Sequence, residues 1–140
     1  MSSLFNVMNI ASTGMSAESV RLNTTASNIA NANSVSSSYD ATYRARKPVF
    51  AAEMENAIEA QKGGTGVKVL GVVESDAPLQ VEFNPNHPMA DKDGYIYKPN
   101  VNVVEEMADM LSASTAYETN VQVADTTKRI FRRVLQLGQN

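Results

Sequence analysis

From residue 102 to residue 137 the sequence holds one apolar seam. Steps of four and three meet Val103, Met107, Met110, Ser114, Tyr117, Val121, Ala124, Lys128, Phe131 and Leu135. That spacing predicts one continuous helix, because side chains three and four apart share a face. At 1.5 Å per residue the helix is roughly 50 Å long, which is long for a chain of 140 residues. Asn102 stands where a cap belongs, with Glu105 three residues on as its capping-box partner. Glu105 and Glu106 fall in the first turn and Arg132 and Arg133 near the end, as the helix dipole favours. Gly138 is the expected stop.

The N-terminus has a second seam: Leu4, Met8, Ala11, Met15, Glu18, Leu22, Thr25 and Ile29. Ser2 or Ser3 could cap its start. Gly14 weakens its middle by about 1 kcal/mol relative to Ala. Both seams carry small or polar residues where a stable coiled coil has Leu or Ile. Helices of this kind take their stability from packing, so each needs a partner: the other seam or another chain.

Between the seams the texture changes. Residues 63–83, "GGTGVKVLGVVESDAPLQVEF", read as two short strands around a turn at Asp76 to Pro78. Residues 84–94, "NPNHPMADKDG", form a turn-rich loop, and "YIYK" is a short strand or an extended lead-in. Residues 48–62 are ambiguous: composition favours helix, while "PVF" suits a strand. The expected fold is α+β, with coiled-coil-like terminal helices (1–34 and 102–140) bracketing an irregular and β-hairpin middle (35–101).

Little here points to catalysis. The chain has no cysteine, so thiolate metal sites and cysteine nucleophiles are excluded. His87 is the single histidine, and "NPNHPMA" offers no nucleophile or orienting group beside it. "DKDG" at 91–94 places its glycine two residues too early for a calcium loop, so it reads as a turn. No metal and no cofactor are expected. A net charge of -3 argues against general nucleic-acid binding. Lys128, Arg129, Arg132 and Arg133 read first as a solvated face suited to the helix dipole, and second as a nucleic-acid patch. Arg44, Arg46 and Lys47 form a second basic cluster. No apolar run reaches the length of a membrane span. The N-terminal residues lack the basic and apolar blocks of a secretory signal.

The segment "STGMSAESVRLNTTASNIANANS", residues 12–34, resembles the N-terminal signature of bacterial flagellar axial proteins, the rod and hook family. Many members continue with a Thr-Pro-Gly-Tyr turn, whereas this chain has "VSSSYDATYRARKPVF". That departure resembles the proximal-rod branch of the family. So do the block from "GVKVLGVVESDAPLQVEF" through "NPNHPMADKDGYIYKPNVNVVEEMADML", the stretch "SASTAYETNVQVADTTKRI", and the ending "VLQLG".

The resemblance implies a structural subunit of the flagellar drive shaft and not an enzyme. It implies export as an unfolded chain through the flagellar type III apparatus, without a cleaved signal, to a periplasmic rod. The partners implied are further copies of this chain, other rod proteins, a hook–basal-body adaptor and the export apparatus, with no nucleic acid and no membrane span. Assembly is expected through Leu4, Met8, Met15 and Leu22 on the first helix and Met107, Met110, Tyr117, Val121, Phe131 and Leu135 on the second. The amides of Asn28 and Asn31 are expected to cap the first helix and bond neighbouring chains. The rival readings are another axial subunit, or a small helical nucleic-acid-binding protein.

Overall fold

The computed structural model describes residues 2–53 and 64–139. The architecture is α+β: helix α1 (Ser2–Asn31), strands β1 (Arg46–Ala52), β2 (Val67–Glu74), β3 (Gln80–Phe83) and β4 (Tyr95–Lys98), then helix α2 (Val103–Gly138). Of the ambiguous stretch, "PVF" lies in β1, and residues 54–62 lie outside the described residues.

The two helices pack side by side and antiparallel. Phe5 meets Phe131, Gly14 lies against Asn120, Arg21 binds Asp109, and Asn28 binds Glu106. As one index rises the other falls. Residues 133–138 therefore extend α2 beyond the start of α1.

The helix ends are fixed locally. Asn102 is extended (φ -97°, ψ 106°), and its side chain accepts from the amides of Val104 and Glu105. This satisfies N–H groups that the first turn leaves without partners. At the other end, α2 runs through Gly138, and Gln139 caps it in right-handed geometry, so the glycine is the last helical residue and not a left-handed stop. Ser2 and Ser3 both lie inside α1, so neither flanks it as a cap. Its C-terminus closes with Ser34, whose amide and hydroxyl both donate to the Asn31 carbonyl.

The expected turn at Asp76 to Pro78 joins two sheets, not two strands of one. β2 pairs antiparallel with β1, and β3 pairs antiparallel with β4. The β1–β2 register breaks between Val49 and Phe50, leaving Leu70 as the extra residue of a bulge. Ser36 adds one bridge to β4 at Tyr97. Asn100 ties the sheets together: its amide donates to the carbonyls of Ser75 and Ala77, and its oxygen accepts from the Ala45 amide.

The loop 84–94 is a folded turn. Asp91 accepts from the amides of Asp93 and Tyr95 and from the Tyr97 hydroxyl. Gly94 has φ +84°, a left-handed conformation that a side chain would strain. The bond from the Tyr95 amide above all holds the Asp91 carboxyl below its ordinary value.

The apolar core is small and sits where the helices meet the sheets. Leu79, Ile96, Pro99 and Val101 are buried with Ala45, while Ala11, Ala17 and Ala113 line the helix pair.

Candidate assembly surface

The seam between the helices is small and polar. On α2 the row facing α1 is Glu106, Met110, Ala113, Tyr117, Asn120, Ala124, Thr127 and Phe131, with Glu106, Ala113 and Thr127 buried. On α1 the contacts come from Phe5, Gly14, Arg21 and Asn28. A Cβ added at Gly14 would stand 2.8 Å from the Asn120 amide nitrogen, so the Asn120 side chain would have to shift to admit it. The Thr24 and Thr127 hydroxyls donate to carbonyls one turn back, as does the Asn120 amide, so these three groups find partners within their own helices.

Asn28 is the centre of the polar set, at 1% exposed. Its amide nitrogen donates to the Arg46 carbonyl (2.8 Å) and to Glu106 Oε2 (3.0 Å). Its oxygen accepts from the Tyr43 hydroxyl (2.8 Å) and the Arg46 amide (2.9 Å). Both protons and both lone pairs are used, so nothing of this amide remains for a neighbouring chain. Asn28 joins α1, α2 and β1 within one subunit. Glu106, buried in the first turn of α2, also gains from the positive end of the helix dipole. Burial raises the Tyr43 phenol above its ordinary value; Arg46 lowers it, and Glu106 and Glu74 raise it. The phenol thus keeps its proton and donates to Asn28.

Further along, Arg21 lies between Asp109 (3.0 Å) and Glu18 (3.6 Å). Asn31 is half-buried and its amide donates to the Ser27 carbonyl of its own helix.

The large apolar residues of α2 lie mostly outside this seam. Val104, Met107, Leu111, Val121, Val123, Ile130, Val134, Leu135 and Leu137 are all exposed, Leu137 at 78%. On α1, Phe5, Val7 and Met8 are exposed, and Leu4, Met15 and Leu22 are half-buried. Of the α2 residues expected to assemble, Met110 and Phe131 sit in the intrachain seam, Tyr117 at its margin, and Met107, Val121 and Leu135 on the open surface. Among the described residues no helix is long and apolar enough to cross a membrane.

The sequence offered no signal for Glu106, Tyr43 or Arg46 as partners of Asn28. The pairings span up to 78 residues of chain, and none involves an apolar repeat.

Two family models match. The one described as "Flagella basal body rod protein" covers residues 8–36, and "Flagellar basal body rod FlgEFG protein C-terminal" covers residues 92–137. Both regions hold Asn28–Glu106 and Arg21–Asp109 contacts on one side or the other. The chain is similar to the flagellar basal-body rod protein FlgC of Salmonella typhimurium, at 43% identity over 97% of this chain and 98% of that protein. It is 44% identical to the FlgC of Escherichia coli O6:H1 over the same shares. It is 37% identical to the FlgC of Borreliella burgdorferi, again over 97% and 98%.

Proposed function

We propose, from the premise that this chain belongs to the FlgC family of flagellar basal-body rod proteins and is a structural subunit of the rod, that it joins its neighbours through the outer faces of the helix pair. One observation carries this reading: small and polar residues (Gly14, Asn28, Glu106, Ala113, Thr127) fill much of the seam, while Val104, Met107, Leu111, Val121, Val134 and Leu137 of α2 lie exposed. An exposed Val or Leu gains roughly 1.5–3 kcal/mol when fully buried. A row of them beside a 36-residue helix is a surface completed by other chains.

In this reading Met8 on α1, with Met107, Val121 and Leu135 on α2, pack against other rod subunits and further copies of this chain. Leu4, Met15, Leu22, Met110, Tyr117 and Phe131 hold the subunit's own pair at the edge of that surface. Asn28 acts inside the subunit, setting the angle between the helix pair and β1, and Asn31 supports the end of α1. The rod passes torque from motor to hook across the periplasm. The chain reaches it unfolded through the flagellar export apparatus, and a hook–basal-body adaptor meets the rod nearby. No catalytic role is assigned.

The test is complementation. In cells lacking this chain, axial structures beyond the basal rings should be missing, and the wild-type chain should restore them. Normal rods and swimming without the chain would remove the reading.

A further inference from the structure

Asp93 is followed by Gly94, and no other aspartate or asparagine of the chain precedes a glycine. At such a pair an aspartyl side chain reacts most readily with its own backbone, because glycine has no Cβ to hinder the next nitrogen or to restrict its approach. In an unfolded chain the Gly94 nitrogen gives up its proton and attacks Cγ of the neutral Asp93 carboxyl. The N–Cγ bond forms, the carboxyl hydroxyl leaves as water with that proton, and a succinimide ring remains. Water then opens the ring. Addition at Cγ restores aspartate. Addition at the main-chain carbonyl leaves isoaspartate, whose backbone runs through Cβ and Cγ, with no net change in mass.

The fold sets the backbone against this step. The Gly94 amide donates to the Asp91 carbonyl (3.1 Å) and closes a four-residue turn. Neither Lys92 nor Asp93 has a positive φ, so the turn is type I. Its third residue, Asp93, then has ψ of roughly 0°. At that angle the Gly94 nitrogen stands about a third of a turn away from the Asp93 Cβ, whereas ring closure needs the two nearly eclipsed. Asp91 secures both sides of the bond. Its Oδ1 accepts from the amides of Asp93 (2.9 Å) and Tyr95 (2.8 Å), and its own amide donates to the Tyr95 carbonyl (2.8 Å). Gly94 is buried, and a Cβ there would stand 2.9 Å from the Phe83 ring and 3.1 Å from the Pro85 Cβ. Asp93 is exposed, so backbone geometry and not burial of the carboxyl opposes the reaction.

We propose that Asp93–Gly94 is a self-modification site, closed in the folded protein by the Asp91 clasp and open in the unfolded chain. Only opened turns react, so the folded chain reacts at the unfolded rate multiplied by the fraction of turns open. Isoaspartate adds one main-chain atom between the two amides that Asp91 Oδ1 binds. A chain modified while unfolded therefore cannot rebuild the clasp.

The test incubates the full chain at neutral pH and body temperature, with and without concentrated guanidinium chloride. Peptides holding residue 93 are then separated by chromatography, where isoaspartate shows as a second peak of unchanged mass. In denaturant isoaspartate should accumulate at residue 93, and without it at least about tenfold more slowly. Amide exchange at Gly94 in the native chain reads the same opening, so its protection should match that slowing. Asp93→Glu, whose longer side chain would have to close a larger ring, should form no such product in denaturant. Asp91→Ala should react at least about threefold faster than wild type without denaturant. This arm counts when circular dichroism shows that the variant keeps its helices; otherwise the match between slowing and exchange in the wild type decides.

Equal rates with and without denaturant overturn the proposal, as does the absence of isoaspartate at residue 93 in denaturant. So does a native chain that reacts faster than its Gly94 exchange allows, because the closed turn would then be reactive. A folded Asp91→Ala chain that reacts at the wild-type rate overturns the part given to Asp91. The modified chain, purified and returned to native buffer, should exchange its Tyr95 amide fast; protection equal to that of the unmodified chain would show that the clasp survives the change.

Discussion

The side-chain amide of Asn28 lies 3.0 Å from a carboxylate oxygen of Glu106, across the antiparallel helices and inside the protein. Each residue is polar, and together with Tyr43 and Arg46 they form a set with no spare donor on the amide.

Replacing Asn28 by Ala should therefore unfold the subunit more readily. It removes the amide that donates to the buried Glu106 carboxylate and also frees the Arg46 amide and carbonyl. The loss should be about 3 kcal/mol, since a buried group left unpaired costs roughly 1–3 kcal/mol. Asn31→Ala loses one local bond and should cost under about 1 kcal/mol. Urea unfolding of the purified chain, followed by circular dichroism, compares the two. Equal losses would show that Asn28 does not join the elements as described.

Gly14 tests the close approach of the helices. Gly14→Leu should destabilise by about 2 kcal/mol or more, because it wedges a large side chain against Asn120. Gly14→Ala should stay within about 1 kcal/mol of wild type, since better helix propensity offsets the displaced amide. The same unfolding experiment reads both. A neutral Gly14→Leu variant would place the helices further apart than described.

Val121→Asp separates folding from assembly. The side chain is 41% exposed in the subunit, so the isolated chain should lose no more than about 0.5 kcal/mol. Rods should nevertheless fail, because the charge would be buried without a partner against a neighbour. Motility plates and electron microscopy of basal bodies provide the readout. The exposed neighbour Gln122→Ala serves as the control. Wild-type swimming by Val121→Asp cells would mean that this face touches nothing.

Asp91 gives the loop 84–94 its acid sensitivity. Its folded-state carboxyl lies below the ordinary value of 3.8, so the unfolded chain takes up its proton first as pH falls. The stabilisation is present above 3.8 and is lost as pH drops through the lower folded value. Amide exchange at Asp93 and Tyr95, whose N–H groups donate to Asp91, should accelerate in that window. In Asp91→Ala the same amides should exchange fast at neutral pH too. Unchanged protection in that variant would assign the turn's order to Gly94 and the backbone alone.

Part of this was legible in the chain. Both long helices, the Asn102 cap and the strands at "GVKVLGVV", "QVEF" and "YIYK" follow from periodicity and turn residues. On α2 the row Met110, Tyr117, Ala124 and Phe131 was on the expected path and faces α1. The companion row was one residue off. A path that seeks apolar residues chooses Met107, Val121 and Leu135, whereas the helices meet through Glu106, Ala113, Asn120 and Thr127. Small and polar residues carry no hydrophobic signal, so a seam built from them is invisible to a hydrophobic repeat. The same holds for Asn28, where a polar segment suggested contacts between chains and the amide is consumed within one. The division of strands between two sheets depends on Asn100 and on pairings distant in sequence, which local patterns do not encode.

The antiparallel order of the helices also fixes how the subunit yields to force. Residues 2 and 138, the two outer helix ends, lie at the same end of the pair. Tension between them loads the contacts in series, like a zip. The Phe5–Phe131 rings part first, then Gly14 leaves Asn120, then Arg21 leaves Asp109, and Asn28–Glu106 gives way last. A load carried sideways from neighbour to neighbour instead strains every one of these contacts at once. The same helix pair is thus soft to peeling from its open end and stiff to twisting along its flank.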